Sequence, residues 1–532
     1  MTFHSAVQPL PKSFRERTIF DLIDRGARDY PNRLAVVAES ALESQVRLTY
    51  AQLTWSIDKA ADALRSAGVR QGDHVGILLS NEAACEFVRI AFGAMRLGAV
   101  VVPLNTRYVA TEQLYSVTQM DCRVLVYESN FGETVRQIAP ELLNVKAFIE
   151  VGVNVNNDAL SWGALYASGH AEERGFPEIG EDDLADILLT SGTTGLPKGV
   201  MLTHSNAVAT GVAIAGALEL RATDVYQSAF PLFTSSGFHF NFMSVLTAGA
   251  TIVIEPRFDA AEMLERIKQE RSTVYLGVPA AYIFMMEVYD QSQHDASSIR
   301  LFDYGGAPMA RDVIRQLSLL FPSVELRQTY GLTESGPTGT YLTGDLSLTK
   351  LGSIGREMPF CKVRCVTPDL SSVAVGEIGE IVMSGPAIMR GYYRNAEATA
   401  ASIHDGWLWS GDLGTVDEDG FLYYVDRNKD IIIRGGFNIS SMEVENVMFE
   451  YPHVQEVAVV AVPHAKLGED VCAFVVPRKN MQLDIKALQE FCSERLADYK
   501  VPRQIVLVDE LPRNPTGKIQ KNVLREKAVS LN

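Results

Sequence analysis

Thr190-Ser191-Gly192-Thr193-Thr194-Gly195-Leu196-Pro197-Lys198-Gly199 follows directly on the apolar run Ile187-Leu188-Leu189. A loop this rich in Gly, Ser and Thr can turn several backbone N–H groups and hydroxyls onto one anion, and Lys198 adds positive charge. It reads as a triphosphate loop. The P-loop NTPase pattern is not met: that pattern needs an adjacent Gly-Lys followed by Ser or Thr, whereas Lys198 stands between Pro197 and Gly199. Taken alone, such a cluster is also compatible with a plain turn between two strands.

On the N-terminal side of the loop, helical and strand patterns alternate. Residues 50–67 carry Leu53, Ile57, Ala60 and Leu64 at helical spacing, and residues 75–79 read as a strand. A second helix is expected over 86–97 and a buried strand over 99–104. The same rhythm returns over 206–254 and 260–278. Helices alternating with apolar strands predict an α/β fold, with mainly parallel sheets layered by helices in a large N-terminal domain. After Gly331 the texture shifts to short strands near 363–366, 378–384, 407–409 and 421–425, which predicts a small β-rich subdomain. The charged stretch Asp426-Arg427-Asn428-Lys429-Asp430 marks a boundary, giving domains 1–426 and 427–532. The second is expected to be a small α+β unit. Its first helix has a capping-box start, Ser440 preceding Glu443 by three residues.

At 532 residues the chain is too long for one compact core, and 47% hydrophobic with 21% charged residues fits a globular protein. A net charge of −17 argues against general binding to nucleic acid or anionic membrane. Any nucleotide site must therefore be locally basic. Cys85, Cys122, Cys361, Cys365, Cys472 and Cys492 are scattered without a CxxC pair, so packing is their expected role. Residues 1–11 lack an apolar signal core, and the run 242–254 is too short to span a bilayer, which predicts a cytoplasmic protein without an integral membrane segment. The oligomeric state is left open.

Four later segments join the loop in one ordered set. The loop, continued by Val200-Met201-Leu202-Thr203-His204, is followed by Tyr330-Gly331-Leu332-Thr333-Glu334, Ser410-Gly411-Asp412, the 426–430 stretch and Pro515-Thr516-Gly517-Lys518. Together these resemble the motifs of the adenylate-forming superfamily of acyl-CoA synthetases, firefly luciferases and peptide-synthetase adenylation domains. The resemblance implies an ATP-, Mg²⁺- and coenzyme A-dependent acid:CoA ligase. The carboxylate of a small-molecule acid attacks the α-phosphate of ATP, pyrophosphate leaves, and coenzyme A then displaces AMP from the acyl-adenylate.

It further implies roles for individual residues. Lys518 is the catalytic lysine bridging α-phosphate and carboxylate; Thr333 contacts the α-phosphate and Glu334 holds Mg²⁺. Thr190, Ser191, Gly192, Thr193, Thr194, Gly195 and Lys198 cradle phosphates. Gln328 and Tyr330 lie against adenine, and Asp412, supported by Arg427, takes the ribose hydroxyls. Lys429 is the hinge of a mobile C-terminal lid, whose Gly435 and Gly436 serve the coenzyme A step. The acid pocket is expected around Thr234, Ser235, Tyr304, Gly305, Gly331 and Pro337.

Five positions depart from the family pattern. Thr234 replaces a frequent His, keeping a hydrogen bond but no charge; Tyr304 replaces a small residue and is expected to shorten the acyl tunnel or offer a hydroxyl; Phe437 replaces Glu; Ser440-Ser441 replace Tyr-Pro. His239, alone in an aromatic stretch, reads as a packed residue. The acid is expected to be aromatic, alicyclic or fatty. A carrier protein or partner enzyme as acyl acceptor stays open as the alternative, and a non-turnover ATP-binding regulator is the rival from another class.

Overall fold

Thr49 starts the helix Tyr50–Ser66 with a reciprocal cap, its hydroxyl accepting from Gln52 N while Thr49 N donates to the Gln52 side chain. The apolar stripe Leu53, Ile57, Ala60 and Leu64 is fully buried. It packs on the helix Ala84–Arg96, where Gly93 permits the close approach: a Cβ there would lie 2.9 Å from that of Ala60. Burying each such large side chain is worth about 1.5–3 kcal/mol, so this pair anchors the first layer.

The protein, seen here as a computed structural model, is described over residues 8–153, 155, 158–171, 175–191, 197–479, 481–513 and 518–530. Gly192, Thr193, Thr194 and Gly195, and the side chains of Ser191 and Lys429, lie outside the described residues.

Among the described residues the strands form three sheets. In the largest, Leu34–Ala38, Thr251–Ile254, Val225–Ser228, Val274–Gly277, Leu301–Gly305 and Glu325–Gly331 run parallel. The strands after Gly331 extend this sheet with antiparallel partners instead of closing on themselves: Ser353–Glu357 joins Gly339–Leu342 to Leu422–Arg427, and Trp407–Val416 and Gly379–Ser384 follow. The β-rich region is thus continuous with the main layer.

A second sheet holds His74–Leu78, Val100–Pro103, Cys122–Glu128 and Ala147–Val151 in parallel. At its other side Leu184–Ser191 and Pro197–Thr203 pair antiparallel, with Thr190 opposite Lys198, so the Gly/Ser/Thr loop joins two strands. The third sheet, Phe437–Ile439, Ile432–Arg434, Gly468–Pro477, Val454–His464 and Gln504–Leu507, has its own core, including Ile432, Val444, Val459 and Leu488. Among the described residues no helix is long and apolar enough to cross a membrane.

Ser440 caps the helix Ser441–Phe449, accepting from Glu443 N at 3.3 Å. The box is only half formed, because the Glu443 carboxylate turns outward to Lys500 at 2.6 Å.

Candidate active site

The parallel strands Leu301–Gly305 and Glu325–Gly331 end side by side, and at their carboxyl ends, where open α/β sheets bind ligands, lies a cavity of about 1530 Å³. Gly305 and Gly331 form part of its floor. Gly331 can bear no side chain, since a Cβ would sit 2.5 Å from the Pro337 carbonyl oxygen. Gly306, at φ +77°, carries the chain past this point; a Cβ on it would lie 3.6 Å from Lys518 Cε. Lys518 therefore reaches the cavity from the far end of the chain.

Beyond Gly331 a tight turn presents Thr333 and Glu334. Ser335 braces it, its hydroxyl accepting from Leu332 N at 3.1 Å. Thr333 Oγ1 and Ser235 Oγ are 2.8 Å apart, which ties the turn to the segment carrying the expected acid pocket. Glu334 Oε1 accepts from the Tyr392 hydroxyl at 2.9 Å, and Lys198 Nζ sits 4.8 Å from the centre of the Tyr392 ring. Burial, aided by the charge of Glu334, raises the Tyr392 phenol well above its ordinary value, so it stays a donor. Tyr392 thus links the loop lysine to the carboxylate. Sequence reasoning missed it; the one available signal was the aromatic pair Tyr392-Tyr393 after Gly391, whose strand pairs with Val200 and Met201 next to the loop.

At the other end, Asp412 and Arg427 face each other across neighbouring strands, with Arg427 Nε 3.3 Å from Asp412 Oδ1. Tyr330 donates to Asp412 Oδ2 at 2.7 Å. Burial raises the Asp412 carboxyl above its usual range, with Arg427, Tyr330 and Lys518 pulling the other way. Burial also lowers the Lys518 ammonium; the charge of Arg427 adds to that, and Asp412 and Glu334 oppose it. Gln328, Thr190 and Lys198 line the same cavity. The structure therefore brings together Thr190, Lys198, Gln328, Tyr330, Thr333, Glu334, Asp412, Arg427 and Lys518.

Thr234, Ser235 and Pro337 also line it, beside the apolar side chains Phe233, Phe240, Leu276, Val278, Ile283 and Met309. Two expectations about this pocket need correction. Thr234 lines the wall, but its hydroxyl donates to Pro231 O at 2.7 Å and accepts from Gly237 N at 3.0 Å. Its single proton is committed to the Pro231 carbonyl, while its oxygen accepts at the start of the helical segment Ser236–Met243, so no donor is offered to a substrate carboxylate. Tyr304 does not line the cavity and presents no hydroxyl to it. Strand alternation turns it away from the face of Asp303 and Gly305 into a core with Tyr282 and Met309, where it is fully buried and its hydroxyl lacks a partner among the described residues.

Gly435 and Gly436 do not line the cavity. They form the two-residue turn between Ile432–Arg434 and Phe437–Ile439, both at positive φ (+58° and +88°), as a primed hairpin turn requires. Phe437 is exposed and stacks on Tyr499 with ring centres 4.6 Å apart. Ser440 and Ser441 are tethers. Ser440 Oγ donates to Val425 O at 2.7 Å, and Ser441 Oγ donates to Asp426 Oδ2 and accepts from Lys521 Nζ, each at 2.6 Å. Lys521 in turn pairs with Glu445 at 2.7 Å. These bonds fasten the C-terminal unit to the end of Leu422–Arg427.

Known proteins match both the N-terminal and the C-terminal parts of the chain. A family model described as AMP-binding enzyme matches residues 23–393, and one described as AMP-binding enzyme C-terminal domain matches residues 443–518. The chain is 36% identical over 485 residues to the long-chain-fatty-acid–CoA ligase FadD13 of Mycobacterium tuberculosis, covering 91% of this chain and 93% of that one. It is 36% identical over 496 residues to a feruloyl-CoA synthase of an Amycolatopsis species, covering 93% and 97%. The solved structure of ATP-bound MatB from Rhodopseudomonas palustris superposes with a TM-score of 0.84 at 30% identity, covering 96% of this chain and 99% of that one. The chain belongs to the AMP-binding enzyme family, the adenylate-forming superfamily, as one of its AMP-forming acyl-CoA ligases.

Proposed function

We propose that the protein adenylates a carboxylic acid with one charged end and an apolar aromatic, alicyclic or fatty body, and passes the acyl group to coenzyme A. The observation that carries this reading is the position of Lys518, beside Gly306 and close enough to Asp412 and Glu334 to feel both charges. An amine there can bridge an acid carboxylate on the glycine floor and the α-phosphate of a nucleotide whose ribose is held by Asp412. The apolar wall from Phe233 to Met309 suits a substrate body without a second charge. The ligases for long-chain fatty acids and ferulate named above act on acids of that kind.

The chain's own residues do the following. Asp412, fixed by Tyr330 and Arg427, accepts the ribose hydroxyls; Gln328 and the Tyr330 ring flank adenine. Thr190, Lys198 and the loop between them hold the β- and γ-phosphates. Thr333 donates to the α-phosphate, and Lys518 neutralises charge as the carboxylate oxygen attacks phosphorus and the bond to pyrophosphate breaks. The donor set suits Mg²⁺: a single carboxylate, Glu334, oriented by Tyr392, with a hydroxyl beside it leaves room for a cation that keeps most of its waters. When bound, that ion offsets negative charge on the phosphates.

We divide the chain at residues 426 and 427, with Lys429 as the swivel of the C-terminal unit. In the arrangement seen here Lys518 is in the cavity and the Gly435-Gly436 hairpin is outside it. A rotation exchanges the two, bringing the hairpin and Phe437 to the acyl-adenylate for attack by the thiol. A cytoplasmic location follows from the need for ATP and coenzyme A. Pyrophosphate exchange into ATP across benzoate, cyclohexanecarboxylate, octanoate and malonate tests the reading. Exchange and thioester formation with one or more of the first three are expected; exchange with malonate alone would contradict the apolar pocket.

A further inference from the structure

His239 and Asp186 stand outside the site described so far. Neither has exposed side-chain surface, and His239 Nε2 lies 2.7 Å from Asp186 Oδ2. Their other polar atoms, His239 Nδ1 and Asp186 Oδ1, have no hydrogen-bond partner among the described residues. A buried imidazole–carboxylate pair with half of its hydrogen-bonding capacity unused is a poor stabiliser, since desolvation offsets most of the attraction; an apolar pair of similar volume would hold the fold as well or better. Its value must be sought in what it connects.

Asp186 lies on Leu184–Ser191, the strand that delivers Thr190 to the cavity and runs into the phosphate loop. His239 lies on Ser236–Met243, a π-helical segment whose Ser236 and Phe240 line the cavity wall. Such wide turns are rare and concentrate at functional sites. Here one successive pair of residues faces two ways, Phe240 into the cavity and His239 towards the strand. Phe238 and Phe242 pack against Phe92 through rings 5.7 and 5.8 Å apart, contacts that are apolar. The bond to Asp186 is directional.

We infer that His239 is a positioning residue: through Asp186 it fixes the acid-pocket wall to the strand that carries the phosphate loop. The attacking carboxylate and the α-phosphate are then held in one register for in-line displacement, where a misplacement of about 1 Å costs on the order of 10² in rate. The inference rests on the acid-pocket reading above.

Four variants test it, each assayed by pyrophosphate exchange with whichever of benzoate, cyclohexanecarboxylate or octanoate the unaltered enzyme uses best. His239→Gln keeps an N–H where Nε2 stands and is expected to retain exchange within about threefold. His239→Asn, equally polar but too short, is expected to lose at least tenfold. His239→Phe strands a buried carboxylate and lowers the thermal midpoint. The double variant His239→Phe with Asp186→Val recovers the midpoint but keeps a tenfold or greater loss, with the KM for the acid raised. Recovery of both midpoint and kinetics in the double variant overturns the inference, as does equal activity of the Gln and Asn variants; should the double variant not fold, the Gln and Asn pair decides alone. An unaltered enzyme inactive with all three acids would overturn the function reading instead.

Discussion

Tyr330 donates its phenolic hydrogen to Asp412 Oδ2 across 2.7 Å, joining the end of one parallel strand to the middle of an antiparallel one. Burial and the Asp412 charge hold the phenol far above its ordinary value, so the proton remains on Tyr330 at any working pH. The carboxylate is thereby aimed before a ribose arrives.

Replacing Tyr330 with Phe keeps the ring and removes that donor. A hydrogen bond to a charged group is worth about 1.5–3 kcal/mol, so the KM for ATP is expected to rise by about 10-fold or more, with little change in the KM for the acid. Steady-state exchange kinetics with each substrate varied in turn check the split.

Tyr392→Phe leaves the ring 4.8 Å from Lys198 but frees Glu334 to swing. Exchange at saturating substrates is expected to fall by about 10-fold, with a raised Mg²⁺ requirement, both read from a metal titration. An unchanged requirement would detach Glu334 from the metal role.

Glu255 is buried away from the cavity, and its carboxyl is pushed up to about 8 by burial, against one opposing hydrogen bond from Gln227 and attraction by Arg266. The folded state therefore holds a proton that the unfolded chain releases near 4.5. Its contribution to stability is full below that value and is lost as pH rises towards about 8. Glu255→Gln fixes the neutral form, so thermal midpoints should rise at pH 8 by an amount worth on the order of 1 kcal/mol or more, with no gain at pH 4.

Much of this site was legible in sequence because its chemistry sits in short local motifs. Thr333-Glu334, Asp412, Arg427 and Lys518 converge from four segments, and Gly305 and Gly331 fall where strand ends meet. What was not legible depends on direction. Tyr304 adjoins Gly305, yet strand alternation sends it into the core, and Thr234 spends its proton on the Pro231 carbonyl. Ser440 and Ser441 stand out in sequence as unusual, but only the fold shows them bonded to Val425 and Asp426. The bond between Tyr392 and Glu334 and that between His239 and Asp186 join residues 58 and 53 positions apart, and no local pattern announces such pairs.

Lys429→Pro restricts φ at the proposed swivel and the conformation of Asn428 before it. The two half-reactions are expected to suffer unequally, the thioester step losing more because Lys518 is already seated for the first. Single-turnover rates for adenylate formation and for thioester formation from preformed adenylate measure both; equal losses would place the hinge elsewhere.

The central claim, that Lys518 serves the first half-reaction from its place beside Gly306, is tested most directly in Lys518→Ala. A charge donor aimed at a transition state is worth about 10² to 10³ in rate. Acid-dependent pyrophosphate exchange should fall by at least that factor, while coenzyme A attack on chemically prepared acyl-adenylate proceeds at nearly the original rate. Exchange at the unaltered rate, or equal loss in both steps, would contradict the account.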